Sequence, residues 1–89
     1  QDKPVLVDFF FVWCGPCKMQ APILEDLKKR VNDQATIIKI DVDKNQSVAA
    51  KYGIRSVPTL MIFKNGEIKW KQSGVFPAEE LERLIKENS

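Results

Sequence analysis

Apolar positions along this 89-residue chain change their spacing several times, and each change marks an element. The run Val5 to Val12 (Val-Leu-Val-Asp-Phe-Phe-Phe-Val) is almost unbroken, rich in β-branched and aromatic residues, and short for a helix. It predicts a strand buried on both faces, since a sheet covered on two sides leaves no polar face to alternate with. Asp8 is out of place in it. Further on the spacing becomes helical: Met19, Ile23, Leu24, Leu27 and Val31 form one stripe, interrupted by Pro22. That proline removes an amide donor and is expected to kink the helix. Ala35 to Val42 predicts a second strand, built on Thr36, Ile37, Ile38 and Ile40. Asp41 to Asn45 supplies turn formers before a short helix through Val48, Ala49 and Tyr52, with Gly53 as its C-cap. Leu60 to Phe63 and Glu67 to Ser73 flank Asn65-Gly66, a dipeptide favoured in two-residue hairpin turns. Pro77 then opens an amphipathic helix with Ala78, Leu81, Leu84 and Ile85 on one face, Glu79 and Glu80 in its first turn and Lys86 in its last.

The order strand, helix, strand, helix, strand, strand, helix predicts an α/β fold. Strands separated by helices give a parallel pair with a right-handed crossover, and the terminal hairpin adds an antiparallel part, so the sheet is mixed and four-stranded. The length and a hydrophobic content of 44% suit one domain over residues 1–89. The 14 basic and 12 acidic residues are spread along the chain, and a net charge of +2 sets up no field that calls for nucleic acid or an anionic membrane. No apolar run approaches the roughly 20 residues that cross a bilayer.

Candidate chemistry centres on Cys14 and Cys17. They are the chain's two cysteines, and at three positions apart they lie too close to form the disulfide framework of a small secreted scaffold. With no histidine in the chain, a zinc site would need carboxylates or a second molecule to complete it, so metal is the poorer reading. A bare Cys-x-x-Cys is a weak signal. It strengthens in context: Val7-Asp8-Phe9, Trp13-Cys14-Gly15-Pro16-Cys17, Pro22, Lys39-Ile40-Asp41, Lys51-Tyr52-Gly53-Ile54, Val57-Pro58-Thr59, Phe63-Lys64-Asn65-Gly66 and Gly74 together resemble the thioredoxin family over nearly the whole chain.

The resemblance implies a thioredoxin-like fold with helices on both sheet faces. The chain opens at Gln1, a few residues before the first strand, and is expected to lack the N-terminal strand and helix that the family usually carries, either as a naturally short variant or because those elements have been cut away. Ala35 to Val42 is then expected to be a free sheet edge. The implied activity is a protein-disulfide reductase with no bound cofactor, whose redox-active Cys14–Cys17 disulfide is recharged by NADPH through a thioredoxin reductase. Its expected partners are that reductase and disulfide-containing proteins, and the expected setting is a monomer in the cytoplasm. A tethered or extracytoplasmic thiol-disulfide oxidoreductase domain and a thioredoxin-fold binding module are the alternatives. Phe10, Phe11 and Val12 depart from the residues the family often has there and make the approach to the cysteines more apolar.

For the cysteines to act, one sulfur must ionise below the usual thiol pKa of about 8.5. A helix starting at Cys14 aims amides at its sulfur and favours negative charge there, which makes Cys14 the attacking thiolate and Cys17 the shielded, resolving thiol. Gly15 allows close approach and Pro16 stiffens the turn. Asp8 is expected to be a buried carboxylate that accepts the Cys17 proton, against the plainer reading of a solvated acid at a strand end. Lys39 either supplies a positive charge near it or is simply exposed. The resemblance implies a cis Val57-Pro58 bond, where a strand-start proline is the plain alternative, and a shallow substrate face of Trp13, Val57, Pro58, Gly74 and Val75. Trp13 read without the resemblance could be a core aromatic, and Trp70 carries no role.

Overall fold

In the computed structural model, which describes residues 2–89, the strands are β1 (Val5–Phe10), β2 (Thr36–Asp41), β3 (Thr59–Lys64) and β4 (Glu67–Ser73). The helices are α1 (Gly15–Val31), α2 (Gln46–Lys51) and α3 (Ala78–Glu87), with a 3-10 turn at Asn32–Gln34. The sheet order is β2-β1-β3-β4. β1 pairs parallel with β2 (Asp8 opposite Lys39) and antiparallel with β3 (Asp8 opposite Leu60), and β3 and β4 form the hairpin. Its turn holds Asn65 at φ 53° and Gly66 at φ 80°, the two positive angles that a tight hairpin requires.

Strand parity divides the core in two. Leu6, Leu60 and Ile62 project to one face and pack against Leu24, Leu27 and Val31 of α1 and Leu81, Leu84 and Ile85 of α3. Each of these aliphatic side chains contributes on the order of 1.5–3 kcal/mol by leaving water. Val7, Phe9 and Met61 project to the other face, where Val48 and Tyr52 of the α2 region and Ile54 lie against them. Tyr52 joins that layer through ring contacts at 6.2 Å to Phe9 and 5.5 Å to Phe63. Helices thus flank both faces, as the element order predicted, though the α2 side is thinly covered and Ile38 on the edge strand β2 remains 41% exposed.

Two local expectations change. β1 stops at Phe10, short of Val12, because the Cys14 N–H donates to the Phe11 carbonyl at 3.3 Å and turns the chain. α1 is a single helix with Pro22 inside it at an exposed position. Its inward stripe is Cys17, Gln20, Leu24, Leu27 and Val31, so Gln20 is buried and Met19, read as part of the apolar stripe, is 62% exposed.

Candidate active site

The cysteines sit where β1 hands over to α1. Cys14 is the N-cap of α1 in an extended conformation, and its Sγ accepts the Cys17 N–H at 3.1 Å. An N-cap acceptor receives a first-turn amide in this way, and the Cys17 N–H sets its partial positive charge beside this sulfur. Cys14 and Cys17 are joined as a disulfide with Cα atoms 5.2 Å apart. Both are almost equally covered, at 6% and 5% exposure, so accessibility alone does not tell their sulfurs apart. The asymmetry lies in the N-cap position. Gly15 and Pro16 between them are exposed, and Pro16 falls in the first turn, where the missing amide donor costs nothing.

A second loop closes on the same sulfur. The Val57–Pro58 bond is cis, and the Val57 carbonyl oxygen lies 3.8 Å from Cys14 Sγ. The Gly74 N–H donates to the Pro58 carbonyl at 2.9 Å, which brings the segment after β4 alongside. Gly74 has φ +117°, a backbone conformation that side chains disfavour. Hydroxyls brace the junction: Thr59 Oγ1 donates to the Ser56 carbonyl at 2.6 Å, and Ser73 Oγ lies 2.9 Å from both Thr59 Oγ1 and Ser56 Oγ. Gln20 finishes the clamp. Its amide donates to the Phe76 carbonyl at 3.0 Å and accepts the Phe76 N–H at 2.8 Å, tying α1 to the loop that carries Gly74 and Val75. Val57, Gly74 and Val75 remain partly open above Pro58, which is buried.

Asp8 is fully buried, and neither carboxylate oxygen has a hydrogen-bond partner. It shares the face of Leu6, which α1 covers with the stripe beginning at Cys17, so its carboxyl lies in the layer between sheet and helix. Burial pushes its pKa from 3.8 up to about 6, and the Lys39 charge on the neighbouring strand offsets part of that rise. Lys39 itself is exposed, with its ammonium 4.6 Å from the centroid of the Phe10 ring. Both plain readings therefore hold in part: the lysine is at the surface, yet its field reaches Asp8.

Trp13 is a surface residue at 66% exposure, not a core aromatic. Its Nε1–H donates to Asp43 Oδ2 at 3.1 Å, and its ring stacks on Phe11 at 4.6 Å with 13° between planes. Trp70 is half-buried and meets Phe76 edge-on at 5.2 Å, where it packs on the helix-side core. The sequence pattern gives Gln20, Asp43, Ser56 and Ser73 no role and marks Thr59 only as part of Val57-Pro58-Thr59, since each works through a partner at least 14 positions away or a backbone group. Among the described residues no group of three or more His, Cys, Asp or Glu side chains is placed to hold a metal ion.

The thioredoxin family model matches residues 1–87. The thioredoxin of Bacillus subtilis is 51% identical over 81 residues, covering 91% of this chain and 78% of the relative. That of Haemophilus influenzae is 42% identical over 87 residues, covering 98% and 81%. Among solved structures, a mutant thioredoxin from Halobacterium salinarum superposes with a TM-score of 0.89 at 41% identity, covering 98% of this chain and 75% of that one.

Proposed function

This chain belongs to the thioredoxin family and is a dithiol/disulfide oxidoreductase, a protein-disulfide reductase, and on that premise we propose how its residues divide the reaction. In the reduced protein, the Cys14 thiolate attacks one sulfur of a substrate disulfide. A Cys14–substrate disulfide forms and the first substrate thiol leaves, taking a proton. Cys17 then loses its proton and attacks Cys14 Sγ, the mixed disulfide breaks, and the second substrate thiol departs. The substrate gains two electrons and two protons, and the protein ends as the Cys14–Cys17 disulfide. The observation that carries the assignment is the N-cap geometry: Cys14 Sγ receives the Cys17 amide, so negative charge on that sulfur is stabilised before the attack.

Asp8 takes the Cys17 proton in the second step. A buried carboxyl with a pKa near 6 and unpartnered oxygens is a base poised close to neutral pH, and Lys39 keeps its pKa from rising further. The backbone of the partly open Val57 pairs with an extended substrate segment, while Trp13, Pro58, Gly74 and Val75 form the apolar rim around Cys14. Gly15 and Pro16 hold the turn. Family membership supports a flavin-dependent thioredoxin reductase, drawing on NADPH, as the source of electrons, with the protein acting as a cytoplasmic monomer.

The test uses single cysteine variants. Cys14→Ser is expected to abolish turnover of a protein disulfide driven by NADPH and thioredoxin reductase, whereas Cys17→Ser is expected to accumulate a mixed disulfide on Cys14, read by intact-mass spectrometry. The reverse pattern would exchange the two roles, and no reduction of the native protein by the reductase would remove NADPH as its electron source.

A further inference from the structure

We propose that the chain carries a side-chain subsite beside its cysteines, which seats an apolar substrate residue adjacent to a carboxylate-bearing one. The subsite is a groove of about 200 Å³ between the turn that follows β1 and the first turns of α1. That space is wide enough to take one side chain. Phe10, Phe11 and Val12 form its apolar wall, and Cys17 lies against it, so a residue seated there belongs to a segment whose cysteine is at the reacting sulfurs.

Two features set its preference. The first is charge: Lys18 and Lys39 line the groove, and no carboxylate does. An acidic residue next to the seated apolar one therefore meets two ammonium groups, whereas a basic one meets repulsion from both; the nearest carboxylates, Asp41 opposite Phe10 on β2 and Asp43 held by Trp13, lie outside the lining. The second is rigidity. Phe11 is stacked on Trp13 at 4.6 Å, Trp13 is tied to Asp43 at 3.1 Å, and the Phe10 ring lies under the Lys39 ammonium at 4.6 Å. Aromatic walls held this way are already in place when substrate arrives, which spares the ordering cost of binding. Val12, 61% exposed in the turn, extends the wall outward with no side chain covering it. The rim at Val57 and Pro58 contacts substrate backbone and accepts many sequences; this groove reads a side chain and its neighbour's charge.

The proposal rests on the exchange reading above, because a seated segment matters only if its cysteine reacts at Cys14. The test follows single turnovers of the pre-reduced full chain with excess peptide disulfide. Three peptides differ only in the residues beside the cysteine: Leu-Glu, Leu-Lys or Gly-Gln. The Leu-Glu peptide is expected to half-saturate at a concentration lower by about fivefold than the Leu-Lys peptide, at equal limiting rate, with the gap closing as salt is added. Val12→Glu and Lys18→Glu, both at exposed positions, are each expected to reverse that order. Equal half-saturation for all three peptides, or a loss in either variant that falls on all three alike, overturns the subsite. Bis(2-hydroxyethyl) disulfide, small and uncharged, reports exchange separately. If the native protein reduces it but shows no flank preference, the subsite alone falls; if the native protein fails on it too, the exchange reading falls first.

Discussion

Asp8→Asn separates what a buried carboxyl does for the reaction from what it does to the fold. Asp8 has a pKa of about 6 in the folded chain against 3.8 for an unperturbed aspartate, and burial is the larger cause. That difference corresponds to about 3 kcal/mol between the two protonation states. The sign follows from which state holds the proton more tightly. Because the folded pKa is the raised one, the native state keeps its proton between about pH 4 and pH 6 while the unfolded chain has released it. Stability tied to this group is complete below the unfolded value, falls by about 1.4 kcal/mol per pH unit across that window, and is lost once pH exceeds the folded value. Asparagine has the shape of the neutral carboxyl and no charge to bury. Chemical denaturation of the oxidised native protein and of Asp8→Asn, repeated across this range, should show a small difference near pH 4 that grows in favour of the variant to about 3 kcal/mol above pH 7. A difference that stays constant within about 0.5 kcal/mol over the same range would mean that Asp8 ionises as freely in the fold as in the unfolded chain. The same titration has a kinetic face. Resolution of the Cys14 mixed disulfide should slow as pH falls through about 6, and Asp8→Asn should lack that inflection.

Two further outcomes test how the second loop is held against the first. Gln20→Leu removes both bonds to Phe76 and leaves its N–H and carbonyl without those partners. It is expected to cost about 2–4 kcal/mol in urea unfolding and to weaken substrate binding more than the limiting rate; an unchanged midpoint would show that water replaces the clamp. Gly74→Ala forces a methyl group onto φ +117°, a strain of about 1–3 kcal/mol, although the nearest atom to the new Cβ is 4.0 Å away. Its unfolding midpoint should therefore drop for backbone reasons alone, and a variant as stable as the parent would show that the loop relaxes to another conformation without penalty.

Periodicity and turn chemistry made the element order legible because they are written in residues close in the chain, and the Cys14–Cys17 motif made the reaction legible through a resemblance that spans nearly the whole chain. The unbroken apolar run of β1 required cover on two faces, Asn65-Gly66 required a hairpin, and Asp8 inside that run announced a buried acid. Where pattern misled, a distant backbone was responsible. Met19 reads as a core residue and the apolar spacing leaves Gln20 unmarked, yet the helix turns Gln20 inward, where Phe76, 56 positions on, satisfies both ends of its amide. The hydrogen bond from Trp13 to Asp43 and the approach of Gly74 to Pro58 are equally invisible along the chain. Residue types and short spacings by themselves determined the strands, the helices and which sulfur caps a helix. Tertiary structure alone decided which loops meet over that sulfur, which polar groups may be buried, and how far the pKa of Asp8 rises, since each depends on the partners or desolvation that the folded chain provides.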